Sequence, residues 1–186
     1  MQITDNALSN IDYKKIHHYF TSEIPIWRFM PGINDNVNST NQPEYKPTSW
    51  GFTCNISNTI ADIKDKHAYR LLKPLILNKE KLVRIRCGFI VNVGPSKLHK
   101  PHIDQQSIEH ITQLYYLTDS DAVTNVFEEY GNDPKYDSYQ PEDFTVKFRC
   151  TPKKNRMFIF DGMHWHSSSP VLGKEARLVL SINYAK

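Results

Sequence analysis

Short segments in which apolar and polar residues alternate recur through the second half of this 186-residue chain. The longest covers residues 83–93, where every second residue from Val83 is apolar. Between them stand Arg84, Arg86 and Asn92 among others. A period of two is the pattern of a strand with one buried face. We expect the apolar face to pack on helices and the polar face to look into a cavity, with plain solvent as the alternative.

The same alternation predicts further strands, which are separated by turn residues. These are residues 111–118, 123–127, 144–150, 157–160 and 176–184. Many short strands with frequent turns are typical of an all-β sandwich or jelly roll. We therefore predict a β core over residues 81–186.

The first eighty residues are expected to support that core with helices and loops. Helices are predicted over residues 13–20 and from about 58 or 62 to 78, and short strands over 24–29 and 50–56. Residues 31–49 are rich in Asn, Pro, Ser and Thr, which predicts a long loop. No linker divides the chain, so residues 1–186 are expected to form a single domain.

The composition excludes several classes of protein. No apolar run approaches the roughly 18 to 20 residues that span a bilayer, and the N-terminus lacks the pattern of a signal peptide. The net charge of +3 comes from scattered lysines, which does not support nucleic acid as a partner. Cys54, Cys87 and Cys150 fit neither a disulfide framework nor a cysteine-based zinc site. We expect them reduced and mostly buried, in a cytoplasmic protein.

A histidine and a carboxylate stand two residues apart at His102 and Asp104. In an extended segment such residues point to the same face. A distant histidine would complete the facial set that holds non-haem Fe(II) and leaves open positions for oxygen chemistry. His166 and His164 compete for that place. We prefer His166 because it lies eleven residues before Arg177, although unrelated surface histidines are the alternative reading.

Residues from about 83 to 184 resemble the Fe(II)/2-oxoglutarate-dependent dioxygenases, especially the prolyl-hydroxylase-like branch and its small phage-encoded members. The matching pieces are His102-Ile103-Asp104, the segment Leu114-Tyr115-Tyr116-Leu117-Thr118-Asp119-Ser120-Asp121, then His166-Ser167-Ser168-Ser169-Pro170, and Arg177. The resemblance implies a double-stranded β-helix, which is a form of jelly roll, braced here by N-terminal helices.

The resemblance also implies roles for individual residues. The iron ligands of that family match His102, Asp104 and His166. Arg177 looks like the cation that grips the distal carboxylate of 2-oxoglutarate, which suits the forked guanidinium. Tyr116 matches a tyrosine that adds a hydrogen bond to the same carboxylate. Asn92 stands where prolyl hydroxylases usually have a tyrosine, and its amide can still donate to the cosubstrate.

An enzyme of this family would use Fe(II), 2-oxoglutarate and O2, and would couple decarboxylation of 2-oxoglutarate to hydroxylation of a second substrate. A peptide, hydroxylated at proline, is one expectation, because loops at residues 34–45 and 130–139 could close over an extended chain. A small metabolite or a nucleobase is another. A non-catalytic, cupin-like metal-binding module is the alternative from a different class. Arg177 discriminates against it, because a structural metal site needs no buried arginine.

Overall fold

A computed structural model describes residues 1–22, 24–30, 51–59, 61–92, 99–173 and 176–186. Its elements are β1 (Gln2–Asp5), α1 (Asn10–Thr21), β2 (Arg28–Met30), β3 (Gly51–Thr59), β4 (Asp62–Ile63), α2 (Lys66–Leu72), β5 (Leu82–Ile90), β6 (His110–Tyr116), β7 (Thr124–Tyr130), β8 (Val146–Cys150), β9 (Arg156–Asp161), β10 (His164–Ser168) and β11 (Arg177–Ala185). The predicted loop over 31–49, Trp50 and the end of the predicted strand at Val93 lie outside the described residues.

The strands of the described residues form two antiparallel sheets. The larger sheet has the order β1-β9-β6-β11-β5-β3-β2, with β4 paired to β3, and the smaller has the order β10-β7-β8. Side chains from both sheets meet in one apolar cluster of Leu114, Tyr116, Val126, Cys150, Phe158, Phe160 and Val179. Two facing sheets give the mainly β fold that the alternation predicted.

The two faces of β5 have different surroundings. Ile85 and Cys87 are fully buried in the main core, together with side chains from α1 and α2. Arg86 and Gly88, from the opposite face, line a cavity between the two sheets. The structure therefore confirms the cavity that was expected beside the polar face.

Helix α1 packs against the larger sheet, as its apolar stripe predicted. The helix begins after Ser9, whose Oγ accepts a hydrogen bond from the backbone N–H of Asp12 at 3.1 Å. Ile16, Tyr19 and Phe20 are buried in the main core. Sequence periodicity located this stripe correctly, as it did the strand predicted over 50–56, which is observed as part of β3.

Helix α2 begins later than predicted, at Lys66 rather than near residues 58 to 62. Strand β3 continues to Thr59 and β4 pairs back onto it, so the sheet takes up the backbone of this stretch. The side chain of Asp65 then caps α2, accepting from the N–H groups of His67 and Ala68 at 3.0 and 2.9 Å. Apolar spacing alone did not distinguish a strand followed by a turn from a longer helix.

The first eighty residues contribute strands as well as helices. β1 pairs with β9, and β3 pairs with β5 and carries β2 beyond it. The strand predicted over 24–29 is confined to β2 at Arg28–Met30. The three cysteines are buried and unpaired. In the described part of the chain, none of the helices has the length and apolar character needed to cross a membrane.

The polar segment after β7 was predicted as a long loop, and it contains two short 3₁₀ turns at Pro134–Ser138 and Pro141–Asp143. Tyr136 packs edge-on against Trp165, with ring centroids 5.6 Å apart. The Trp165 indole N–H donates to the carbonyl oxygen of Gly131 at 2.9 Å. These contacts attach the segment to β10, the strand that carries the distal histidine.

Candidate metal centre

The two parts of the sequence motif meet through a single antiparallel bridge. His102 and His166 exchange both backbone hydrogen bonds, each 3.0 Å long. Their ring centroids are 4.5 Å apart. His102 forms this isolated bridge outside the longer strands of the two sheets. The bridge nevertheless brings together residues that are 64 positions apart in the chain.

Three side chains converge at this bridge. One potential ligand atom from each of His102, Asp104 and His166 lies within 4.8 Å of the others. The Nε2 atom of His102 is 3.7 Å from Asp104 Oδ1, and that of His166 is 3.9 Å from Asp104 Oδ2. Two imidazole nitrogens and one carboxylate oxygen make the donor set that suits non-haem Fe(II).

Backbone carbonyl groups orient the two imidazole rings. His166 Nδ1 lies 3.1 Å from the carbonyl oxygen of His164, and His102 Nδ1 lies 3.4 Å from that of Lys100. When Nδ1 carries the proton and donates to such a carbonyl, Nε2 keeps a free lone pair. Both Nε2 atoms are therefore available as ligands on the side of Asp104.

The Asp104 carboxylate is held by side chains from β5 and β11. Its Oδ1 is 2.7 Å from Nη2 of Arg84. Its Oδ2 accepts hydrogen bonds from Ser181 Oγ at 3.1 Å and Asn183 Nδ2 at 3.0 Å. Arg84 Nε also donates to Asn183 Oδ1 at 3.0 Å. This network fixes the carboxylate before any ligand binds.

The surroundings keep the donors in the protonation states that metal binding requires. Burial alone would raise the pKa of Asp104, but His102, Arg84 and His166 together hold it well below its ordinary value. Burial, and then the neighbouring His102, lower the pKa of His166 to about 3. At neutral pH the centre therefore contains a carboxylate and, at His166, a neutral imidazole.

His164, the competing histidine, lies apart from this group. Its ring stacks edge-on against Tyr130, with centroids 5.0 Å apart and an interplanar angle of 77°. Among the described residues, the set of potential ligands contains His166 and not His164. The geometry thus agrees with the choice that the position of Arg177 suggested.

Arg177 lies in the same cavity with part of its guanidinium unsatisfied. The side chain is buried, and Nη2 donates to Thr124 Oγ1 at 2.8 Å. The Nε atom is buried and, within the described ranges, has no hydrogen-bond partner. Tyr116 presents its ring at 5.7 Å from the guanidinium carbon and its hydroxyl at 2.8 Å from Thr124 Oγ1. A buried N–H group without an acceptor is unfavourable, and a carboxylate would satisfy it.

Strand β11 carries both Arg177 and Ser181, and the spacing along the strand separates these two positions. Ser181, which contacts Asp104, is four residues further along β11. Four residues of a strand span about 13 Å. The cavity between these positions has a volume of about 110 Å³. A ligand could therefore contact the metal ligands and Arg177 within one cavity.

Asn92 is not brought to the cavity. Its side-chain amide donates to the carbonyl oxygens of Leu172 and Gly173 at 2.7 and 3.3 Å. It is absent from the described residues that line the cavity. Its contact with a cosubstrate stays a prediction that the observed placement does not favour.

Several polar residues of the site were not predicted from the sequence. Thr124 joins Arg177 to Tyr116, and Ser181 and Asn183 bind Asp104. The last two were detectable, because the alternation places them on the same face of β11 as Arg177.

His99, a buried histidine close to the site, had no sequence signal. Its Nδ1 lies 2.6 Å from Ser168 Oγ. Burial, followed by the charge of Arg177, lowers the pKa of His99 to about 4. The ring is therefore neutral at physiological pH.

No protein-family model and no curated protein match this sequence. Solved structures do match the fold. An oxidoreductase of the 2OG-Fe(II) oxygenase family from Burkholderia pseudomallei has a TM-score of 0.65 at 11% identity, covering 98% of this chain and 82% of that one. HygX from Streptomyces hygroscopicus, with nickel, 2-oxoglutarate and hygromycin B bound, has a TM-score of 0.58 at 11% identity, covering 98% and 81%.

A prolyl hydroxylase from Trichoplax adhaerens, in complex with a hypoxia-inducible-factor peptide fragment, has a TM-score of 0.56 at 13% identity. The match covers 99% of this chain and 82% of that one. The structural neighbours are thus 2-oxoglutarate- and Fe(II)-dependent oxygenases with a jelly-roll fold, and they include a prolyl hydroxylase. The predicted fold is confirmed by these TM-scores over nearly the whole chain, and at identities this low the likeness concerns the fold alone.

Proposed function

We propose that this protein is a 2-oxoglutarate-dependent non-haem iron oxygenase that hydroxylates a second substrate. The observation that carries the proposal is the placement of an incompletely satisfied arginine, Arg177, in the same cavity as the convergent donors of His102, Asp104 and His166. The cavity thus offers one set of groups for a metal and a separate group for the cosubstrate. The fold that this chain shares with known oxygenases supports the same conclusion.

In this proposal His102, Asp104 and His166 hold Fe(II), and Arg177 holds the distal carboxylate of 2-oxoglutarate. Iron and 2-oxoglutarate together supply the activation of O2, with 2-oxoglutarate converted to succinate and CO2 while a C–H bond of the substrate becomes C–OH. Thr124 orients Arg177 through its hydroxyl group, and Tyr116 supports Thr124.

The remaining residues of the cavity prepare it for this chemistry. Arg84 and Asn183 fix the Asp104 carboxylate, so that no reorientation is needed when the metal binds. Leu114 and Val179 supply apolar wall between the metal ligands and Arg177. Such walls keep water from the reacting groups.

A non-catalytic metal-binding module is less consistent with the structure. A site that only holds a metal gains nothing from burying the Arg177 guanidinium with its Nε unsatisfied, because that burial is unfavourable without an anion. The buried, preoriented arginine indicates a second ligand beside the metal. Turnover is the function that uses both.

The structural neighbours suggest two classes of second substrate, a peptide and a small molecule. One structural neighbour is a prolyl hydroxylase in complex with a peptide, and another binds hygromycin B. Hydroxylation of a peptidyl proline therefore stays a prediction, as do a nucleobase substrate, the phage relationship and a cytoplasmic location.

Release of succinate from 2-oxoglutarate tests the proposal. The purified protein is expected to release succinate in the presence of O2 only when Fe(II) is added, and a panel of peptides and metabolites should identify compounds that accelerate it. Asp104→Ala should abolish the release. Arg70→Met, a change at an exposed arginine of α2, is the matched control and should retain it. Equal succinate release by wild type and Asp104→Ala would contradict the proposal.

A further inference from the structure

We propose that Arg86 is the anchor for a carboxylate group on the primary substrate, which makes that substrate a carboxylic acid, free or part of a peptide. The inference rests on the proposed oxygenase function and deepens it. The carboxylate would bind beside the metal ligands, on the side of the cavity away from Arg177.

Arg86 faces the cavity from the middle of β5. The pairing of β5 with β11 places it opposite Ser181, the residue whose hydroxyl donates to Asp104. Its side chain lines the cavity together with the three potential metal ligands. No hydrogen bond or ion pair to its guanidinium is found among the residues that the structure describes.

The neighbouring arginines already have assignments, whereas Arg86 does not. Arg84 forms an ion pair with Asp104 at 2.7 Å and donates to Asn183. Arg177 donates to Thr124 and is assigned to the distal carboxylate of 2-oxoglutarate. The other carboxylate of 2-oxoglutarate would belong to the metal. Arg86 is therefore left for a different anion.

The charges around Arg86 favour an anion with a single negative charge. An arginine remains protonated in proteins. Arg84 and Asp104 form an ion pair, so Asp104 compensates the charge of Arg86 only in part. Burial, and then the charge of Arg84, lower the pKa of Arg86 although Asp104 favours its charged form, so a bound anion would stabilise that form further. One guanidinium fork matches one carboxylate, whereas a dianionic phosphate would need a further cation.

The groups beside Arg86 indicate the rest of the substrate. Met30, Phe52 and Thr53 line the cavity on the β2–β3 side. They offer apolar contacts and one hydroxyl group to the part of the substrate that follows the carboxylate. Arg86 and the three potential metal ligands line the same cavity, so the carboxylate and the carbon to be oxidised would both lie within it. A free acid, a C-terminal residue, or an internal Asp or Glu residue of a peptide would supply such a carboxylate.

Direct binding of a minimal carboxylate tests the inference without relying on turnover. The protein is loaded with Zn(II), which is redox-inert, and with N-oxalylglycine, an analogue that occupies the 2-oxoglutarate position. Acetate, the isosteric neutral acetamide, and methyl phosphate are then titrated separately. Binding is followed by NMR through the Nε–H signals of the arginine side chains.

Acetate is expected to bind the loaded wild-type protein at least about tenfold more tightly than acetamide, a difference of about 1.4 kcal/mol, and to shift the Arg86 signal. Arg86→Met should lose this preference, and Arg86→Lys should keep part of it because the charge remains while the fork is lost. The matched control Arg70→Met, at an exposed position on α2, should behave as the wild type.

Several outcomes would overturn the inference. Equal affinity for acetate and acetamide in the wild type is one, and an undiminished preference in Arg86→Met is another. Tighter binding of methyl phosphate than of acetate would replace the carboxylate by a phosphate. Loss of N-oxalylglycine binding in Arg86→Met, with retention in Arg177→Met, would make Arg86 the cosubstrate anchor. The wild-type protein failing to bind N-oxalylglycine, or to release succinate with Fe(II), would instead count against the oxygenase function itself.

Discussion

The candidate centre depends on individual side chains whose partners fix both orientation and charge. Asp104 is the clearest case, because Arg84 contacts one of its oxygens while Ser181 and Asn183 contact the other. Such support is worth roughly 10- to 100-fold in metal affinity in known metal sites. The histidines depend on backbone carbonyls for the same purpose.

Substitution of the two histidines of β10 separates ligand from neighbour. His166→Ala should abolish Fe(II) binding, since it removes one of three donors. His164→Ala should retain the metal, because its ring contacts Tyr130 instead. Anaerobic equilibrium dialysis with Fe(II) measures both. The assignment is wrong if His164→Ala loses iron and His166→Ala keeps it.

The hydroxyl group of Thr124 should contribute to cosubstrate binding through Arg177. Thr124→Val removes that hydroxyl at nearly constant volume, and hydrogen bonds to charged groups contribute about 1.5 to 3 kcal/mol. The KM for 2-oxoglutarate should therefore rise about tenfold or more. Thr124→Ser keeps the hydroxyl and should stay near the wild-type value. Steady-state succinate release measures the KM for 2-oxoglutarate in both variants. An unchanged KM in Thr124→Val would show that Thr124 does not contribute to cosubstrate binding.

At the scale of elements, β5 and β11 carry the side chains that hold Asp104. Their pairing sets Arg84 opposite Asn183 and Arg86 opposite Ser181. A shift of β5 relative to β11 would therefore separate Arg84 from Asn183, and both of these residues contact Asp104. The turn between β9 and β10 lies against β6, whose Thr112 accepts a hydrogen bond from Asn183. There the absence of a side chain at Gly162 allows β6 to pack closely.

A side chain at Gly162 should destabilise the fold and disturb the centre. A Cβ atom there would lie 2.3 Å from His110 Nε2 and 2.8 Å from Thr112 Oγ1, the atom that also accepts from Asn183. Gly162→Ala should reduce the free energy of unfolding by about 1 to 3 kcal/mol. Urea unfolding measures this. Gly88→Ala is the control, because its Cβ would meet nothing closer than 3.9 Å, and equal stability of the two variants would refute the steric account.

Sequence periodicity located the elements whose two faces differ in polarity. The alternation predicted both β5 and β11, and in β5 it also predicted the cavity, because the two faces of that strand differ in polarity. It failed at α2, where apolar spacing ignored the sheet pairing that holds Thr59 and Asp62. The residues of the site likewise divide into those that the sequence pattern predicted and those that it did not. The histidines and Asp104 have a recognisable spacing, whereas the bond from Thr124 to Arg177 depends on two strands from different sheets.

For the whole molecule, residues from the first eighty positions complete the core of the later ones. The main core combines Ile16, Phe20 and Leu72 with Ile85 and Leu180. Strand β3 also covers the edge of β5 that would otherwise expose its backbone groups. We therefore propose that residues 1–186 form one cooperative domain.

Cooperative unfolding is the expected consequence of that shared core. Urea transitions followed by tryptophan fluorescence and by far-ultraviolet circular dichroism should coincide. A fragment of residues 81–186 should not fold alone, because it lacks the helices and β3, and its NMR spectrum should show little dispersion. Two separate transitions, or a well-dispersed spectrum from the fragment, would show that the core is independent of the first eighty residues.

The central claim is that one cavity holds a metal through His102, Asp104 and His166 and a diacid through Arg177. Anaerobic calorimetric titration of 2-oxoglutarate, with and without Fe(II), tests it most directly. We expect one 2-oxoglutarate per chain when Fe(II) is present, much weaker binding without it, and loss of the metal dependence in Asp104→Ala. Binding of 2-oxoglutarate that is absent, or that is indifferent to Fe(II), would contradict the account.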